Sequence, residues 1–272
     1  MKADTLSKRE IEYYRKLWTT QGQRKYSKFA VEGIRIVNEA IMATDVSDYP
    51  VEEVLVDPIF TSKTSGEAVV IASKKHNIPV RFVKRSYIET ILKTKTPQGV
   101  MAVLNIPAKS DDARLGDFMA MKGVVLFLDG VQDPGKAGTL IRSAAAFGVE
   151  GVIIGQNGAR LYNPKVVRAS AGAFLQIPVI DLTHRDATEI MEKFVSSSFQ
   201  IVITSTDSDA KPITKAILPN KAMIVIGNEG IGVRETIKKL SSKKLSIPIL
   251  SKVDSLNAAV AGSIILFHFL VK

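Results

Sequence analysis

Three short segments of this chain concentrate residues that can do chemistry: Asp129-Gly-Val-Gln-Asp-Pro-Gly-Lys-Ala-Gly-Thr-Leu-Ile-Arg142, Ile226-Gly-Asn-Glu-Gly-Ile-Gly232 and Ile247-Pro-Ile-Leu-Ser-Lys-Val-Asp-Ser-Leu-Asn257. Each follows an apolar, strand-like run, and at least two lead into helices. In open α/β sheets ligands sit on the loops at the carboxyl ends of strands. Glycine there lets the backbone come close to a ligand. A binding and catalytic crevice is therefore expected where these loops meet.

The first segment invites a phosphate-loop reading, because Gly130 to Lys136 has the Gly-four-residues-Gly-Lys spacing between a strand and a helix. The next residue, Ala137, lacks the hydroxyl that such a loop gives to Mg²⁺. Asp133 adds negative charge beside the phosphates, and Pro134 removes a backbone N–H from the cradle. Three faults in eight residues argue against a nucleotide triphosphatase. The glycines of Gly227-Asn-Glu-Gly-Ile-Gly232 are likewise in the wrong order for a dinucleotide fingerprint.

The elements that must carry these loops are apolar runs at Gly123–Leu128, Gly151–Gly155, Phe199–Ile203, Ala222–Ile226 and Leu245–Ile249, separated by helix-length segments. Near-continuous apolar strands of this kind indicate a parallel sheet covered on both faces. Before them, Phe29–Ile41 reads as a short strand followed by an amphipathic helix. Strands at Val51–Val56, Pro79–Val83 and Gly99–Leu104 then alternate with helices at Ser65–His76 and Ser86–Leu92. The composition changes near Asp111–Asp117, which predicts two α/β domains, residues 1–110 and 117–272.

At 272 residues the chain can bury a large core. Its formal net charge is +10, with basic residues crowded near the start, among them Arg24, Lys25, Lys28 and Arg35. Such a surface favours polyanions, and nucleic acid suits it better than a membrane. The same charges also fit a solvated helix face. Tyr13, Tyr14, Trp18, Tyr26 and Phe29 lie among them and could stack on unpaired bases, although Trp18 and Phe29 fit the buried side of a helix better. No cysteine is present, which excludes disulfides, thiolate nucleophiles and Cys-based zinc sites. His76, His184 and His268 are far apart in sequence, so no metal site is expected; His268, within an apolar run, reads as a satisfied core or interface residue. The first residues lack the apolar core of a signal peptide, and the longest apolar stretch, Ala258–Val271, is shorter than the roughly 20 residues that span a bilayer. A soluble cytoplasmic protein is the expectation.

Taken together, the three motifs resemble the SpoU/TrmH family of RNA ribose 2′-O-methyltransferases, in the SPOUT class. The resemblance runs from about Gly123 onward, through Asp-Pro-Gly-x-x-Gly-Thr-x-x-Arg, Gly-Asn-Glu-Gly-x-Gly and Ile-Pro-Ile to Ser-Leu-Asn-Ala-Ala-Val-Ala. The earlier segments Lys28-Phe-Ala-Val-Glu-Gly-Ile-Arg35 and Lys95-Thr-Pro-Gln-Gly-Val-Met101 more loosely resemble the substrate-binding domain often fused to it. The resemblance implies a deep trefoil knot, bound S-adenosylmethionine and a homodimer whose interface lies beside the site. It implies cofactor contacts at Gly227, Ile247 and Leu256, largely through backbone, with Thr204 and Ser205 nearby.

By motif position Arg142 serves the ribose hydroxyl and RNA phosphate, and Glu229 orients Arg142 or the substrate. Ser255 and Asn257 supply short polar groups, although Asp254, Ser255 or Asn257 could equally cap the helix that follows. Arginine stays protonated, so Arg142 is expected to hold phosphate and steady charge on the 2′ oxygen rather than act as a base. RNA contacts are expected from Arg24, Lys25, Lys28, Arg35 and Lys136. One departure stands out: the family usually has Asn where this chain has Lys136, which loses an acceptor and gains a charge. The expected activity is methyl transfer to a ribose 2′-hydroxyl, with rRNA favoured over tRNA. The rival reading is a noncatalytic RNA-binding or ribosome-assembly module of the same fold.

Overall fold

The computed structural model describes residues 3–62, 64–92, 96–250 and 255–271. They form two compact units, Met1–Ala108 with Tyr162–Gln176, and Lys109–Leu161 with Ile177–Lys272. Asp111–Asp117, where the composition changes, is helical: Ser110 caps the helix Asp111–Ala120 by accepting the Ala113 N–H, and Leu115 and Phe118 enter the core of the second unit.

In the first unit, strands β1 (Lys28–Glu32), β2 (Val51–Val56), β3 (Val80–Phe82) and β4 (Val100–Asn105) form a sheet in the order β1-β4-β2-β3. β4 runs antiparallel to both its neighbours, while β2 and β3 are parallel. The sheet's hydrophobic residues pack under the helix Lys8–Lys16, whose start is fixed by reciprocal bonds between Ser7 and Glu10. This capping box satisfies backbone donors that would otherwise lack partners. Phe29 is fully buried, as its sequence context predicts, and joins Tyr49, Tyr162 and Phe174 in an aromatic cluster with ring centroids 4.7–6.2 Å apart. Thus a segment distant in sequence completes the core of this unit.

The second unit holds β5 (Val124–Leu128), β6 (Gly151–Ile154), β7 (Val179–Asp181), β8 (Gln200–Thr204), β9 (Lys211–Pro212), β10 (Ala222–Ile226) and β11 (Lys243–Ser246). All pairs are parallel, in the order β7-β6-β5-β10-β8-β11-β9. β5, β6 and β10 are buried along their whole length, which explains their unbroken apolar sequences. The last predicted strand is displaced: it spans Lys243–Ser246 rather than Leu245–Ile249, because Pro248 has no N–H for a ladder. His268 is also not a core residue; it is exposed, with its Nε2 bonded to the Ile213 carbonyl at 3.0 Å.

Two helices frame the loops of interest. The helix Pro134–Ala146 begins with Asp133 accepting the Lys136 N–H at 2.8 Å and Pro134 in the first turn, where a missing N–H costs nothing. The residues that spoil a phosphate loop are thus those that start a helix well. The helix Ala258–Leu270 packs against it, with Ser143 Oγ and Ser263 Oγ 2.7 Å apart. Gly262 leaves room for Leu140 in this contact, since a Cβ there would lie 2.4 Å from Leu140 Cδ2 and turn that side chain aside. No described helix is long and apolar enough to cross a membrane.

Candidate functional site

The sheet order places the site. From β5 the chain builds one flank through β6 and β7, then returns to build the other through β8, β10 and β11. The strand order therefore reverses at the β5/β10 junction, where loops part and leave a crevice. A cavity of about 660 Å³ opens on the β10 side of that junction, lined by the loops after β8, β10 and β11 and by the start of the Ala258 helix. That volume lies within the usual range for a small-molecule site, about 300–1,000 Å³.

Thr204, Ser205, Gly227, Glu229, Ile247, Ser255 and Leu256 all line this cavity, so the second and third motifs converge with the end of β8, while the Asp129–Arg142 segment lies outside the lining. Thr204 Oγ1 donates to the Val225 carbonyl at 3.3 Å, and the Ser205 N–H donates to the Leu245 carbonyl at 2.9 Å. Both residues are thereby held at the sheet edge of the cavity. Gly227 meets the backbone of its own turn so closely that a Cβ would sit 2.3 Å from Gly232 C and Val233 N. Only glycine fits, and backbone rather than side chain forms that wall.

Asn257 caps the Ala258 helix, accepting the N–H groups of Ala259 at 2.9 Å and Val260 at 3.4 Å. Ser255 is exposed at the cavity, whereas Asp254 lies outside the described residues, as does Lys95. Arg142 is exposed on the Pro134 helix and is not part of the cavity wall of the single chain. Among the expected RNA-binding residues, Arg24 and Lys25 are exposed, with the Lys25 ammonium 5.4 Å from the centre of the Tyr26 ring. Lys28 is bonded to Glu52 at 2.7 Å and Arg35 to Glu39 at 3.2 Å, so part of their charge is already answered.

Four residues that the sequence reading passed over hold the loops together. Asn228 Nδ2 donates to the Gly130 carbonyl at 2.9 Å, and its Oδ1 accepts the Gly230 N–H at 2.8 Å, tying the second motif to the first. Asp129, only 2% exposed at the end of β5, accepts the Arg234 N–H at 2.8 Å and makes a 2.6 Å ion pair with Arg234 Nε off the hydrogen-bond direction. Arg234 also bonds the Gln156 side chain and its carbonyl, the latter at 3.1 Å. Burial pushes the Asp129 carboxyl above its ordinary value, and Arg234 pulls it back in part. Separations of 78 and 105 residues left no local signal for this network.

Lys136 Nζ reaches Glu229 Oε1 at 2.9 Å, with both side chains about three-tenths exposed. The acid expected to orient Arg142 or the substrate is thus met by the lysine that departs from the family pattern. Among the described residues no cluster of His, Asp and Glu could hold a metal ion.

With this geometry in place, sequence comparison gives a match to the SpoU rRNA Methylase family over residues 123–267 and to the MRM3-like substrate binding domain over residues 8–102. The chain belongs to the SpoU rRNA Methylase family. It is 26% identical over 265 residues, 97% of each chain, to the 23S rRNA (guanosine(2553)-2′-O)-methyltransferase RlmP of Bacillus subtilis (strain 168). Among solved structures, a TrmH family protein from Porphyromonas gingivalis superposes with a TM-score of 0.82 at 28% identity, covering 98% of each chain. The SpoU methyltransferase AviRb from Streptomyces viridochromogenes, in complex with AdoMet, shares the fold with a TM-score of 0.77 at 23% identity, covering 95% of this chain and 96% of that one.

Proposed function

We propose that this chain transfers the methyl group of S-adenosylmethionine to a ribose 2′-hydroxyl of ribosomal RNA. The observation that carries this reading is the single cavity in which the loops after β8, β10 and β11 meet, one wall made of glycine backbone. Gly227, Ile247 and Leu256 would hold the cofactor, with Thr204 and Ser205 at the strand end. The cofactor's sulfonium supplies an activated methyl group, and the protein must align it with a poor nucleophile.

Arg142 receives the RNA phosphate and stabilises charge developing on the 2′ oxygen, through a fork that suits bidentate contact. Ser255 and Asn257 offer polar groups beside the hydroxyl, and Asn257 does so while capping its helix. Arg24 and Lys25, with Lys28 and Arg35, give the first unit a surface for the RNA backbone. An rRNA substrate suits a cytoplasmic protein.

A homodimer belongs to the same reading. Val260, Ile264, Phe267 and Val271 recur at helical spacing along the Ala258 helix and are 37–55% exposed, an apolar stripe suited to a second copy. The trefoil knot is proposed on the family resemblance, supported by the crowding of three loops at the ends of adjacent strands.

The test is transfer of labelled methyl from S-adenosylmethionine to total RNA from cells lacking this protein. Label at one rRNA nucleotide, resistant to alkaline cleavage, is expected, and Arg142→Ala should abolish it with little change in cofactor affinity. Absence of label in rRNA and tRNA would overturn the reading, and sedimentation of the purified protein tests the dimer.

A further inference from the structure

Lys136 sits in the first turn of the Pro134 helix, where Asp133 anchors its backbone and leaves its side chain to cross to Glu229. The other charged groups at the cavity already have partners. Lys238 is 3.4 Å from Glu235, and Asp207 is 3.7 Å from Lys244. Among the described residues, Lys136 is the cation paired with Glu229. Without it, Glu229 would carry unanswered negative charge on the wall of the cavity. A polyanion approaching that wall would meet repulsion that solvent screens only in part, since the Glu229 side chain is about three-tenths exposed.

We propose that Lys136 is a positioning and specificity-determining residue, which neutralises and fixes Glu229 so that an RNA phosphodiester backbone can approach the cavity. The inference rests on the proposed RNA substrate and adds to it the device that makes an acidic wall tolerable. The partner is not a second phosphate-binding cation; lysine acts here through the carboxylate it covers. Its ammonium, carried on a four-carbon stem, spans the gap to Glu229 at 2.9 Å, a reach that a short amide lacks.

The test is a double-mutant cycle on the full chain with Lys136→Met, Glu229→Gln and the pair. Binding is measured by filter retention of labelled, protein-free rRNA from cells lacking this protein, in the presence of S-adenosylhomocysteine, and methyl transfer is measured in parallel. Lys136→Met should weaken rRNA binding about tenfold, the scale of one poorly screened like-charge contact. It should raise KM more than it lowers kcat, with cofactor affinity and melting temperature unchanged. In the Glu229→Gln background the same change should cost less than about twofold, because no charge remains to be covered.

An equal loss in both backgrounds, with the salt slope reduced by about one, would show that Lys136 touches phosphate itself and overturn the proposal. No loss in either background would reduce the pair to a structural contact and overturn it as well. Wild-type protein that binds rRNA without methyl transfer would sink the proposed reaction, yet the binding cycle would still decide the role of Lys136.

Discussion

Two ion pairs tie the segment that follows β5, its loop and the first turn of the Pro134 helix, to the loop after β10, and they differ in nearly everything else. Asp129–Arg234 is anchored by a carboxylate that is 2% exposed and joined by a second arm to Gln156, whereas Lys136–Glu229 stands about three-tenths exposed at the cavity. A buried charge that loses its partner is left with a desolvation penalty, while a half-exposed one is rescued by water. The first pair therefore fixes where the loops are, and the second is open to adjustment by what approaches them. The site is built from a rigid knot of polar contacts with a soft contact in front.

The contrast breaks most readily at Arg234. Arg234→Met should destabilise the protein by roughly 3–5 kcal/mol in urea melts, because Asp129 is left buried without its partner. A loss below about 1 kcal/mol would mean that the two pairs are alike. Gly227→Ala comes next: its Cβ would have to displace the backbone of Gly232 and Val233, which should cost roughly 1–3 kcal/mol and lower cofactor affinity in calorimetry. Lys136→Met should change stability by less than about 1 kcal/mol, so that any large effect appears in RNA binding instead.

Acid titration sharpens the same comparison with the smallest effect. Glu10, near the surface of the first unit, is held at about 2 rather than 4.5, chiefly by the Ser7 N–H, then by the Ser7 hydroxyl and Arg81. Its folded value is depressed, so its stabilisation is present above about 4.5 and is lost as pH falls toward 2. Asp129 has the opposite sign: burial raises its folded value above 3.8, so its contribution is present below that value and is lost as pH rises through the folded one. Carboxylate NMR titration should show the two moving in opposite directions from their ordinary values. Arg234→Met should push Asp129 higher still and leave Glu10 unmoved.

Much of the second unit was legible because its strands carry their own signal. Ala222–Ile226 is apolar enough to be read to the residue, and the apolar stretch Ala258–Val271 marks the last helix to within one residue. β7 and β9 were not legible: β9 has only two residues, and β7, three residues long like β3, ends in the polar Asp181 and offers only Val179 and Ile180 as an apolar run. The convergence of Thr204, Gly227, Ile247 and Leu256 was legible through motif order, since each ends or follows a strand of one parallel sheet. What held them was not. Asn228, Asp129 and Arg234 look like ordinary turn and cap residues until the fold brings them together, and the partner of Lys136 lies 93 positions along the chain at Glu229.

The segment Tyr162–Gln176 has a consequence for the order of synthesis. It belongs to the first unit, where Tyr162 and Phe174 stack with Phe29 and Tyr49, and the Tyr162 carbonyl accepts Gln23 Nε2 at 3.0 Å. A nascent chain that has emerged only as far as Ala108 lacks half of that aromatic cluster. The first unit must therefore wait, with Phe29 and Tyr49 uncovered, until translation has delivered β5, the Pro134 helix and β6 of the second. Folding from the amino end, domain by domain, is the usual order for a growing polypeptide. Here the beginning of the protein is finished by its middle, and a truncation at Ala108 should expose apolar surface rather than yield a self-sufficient domain.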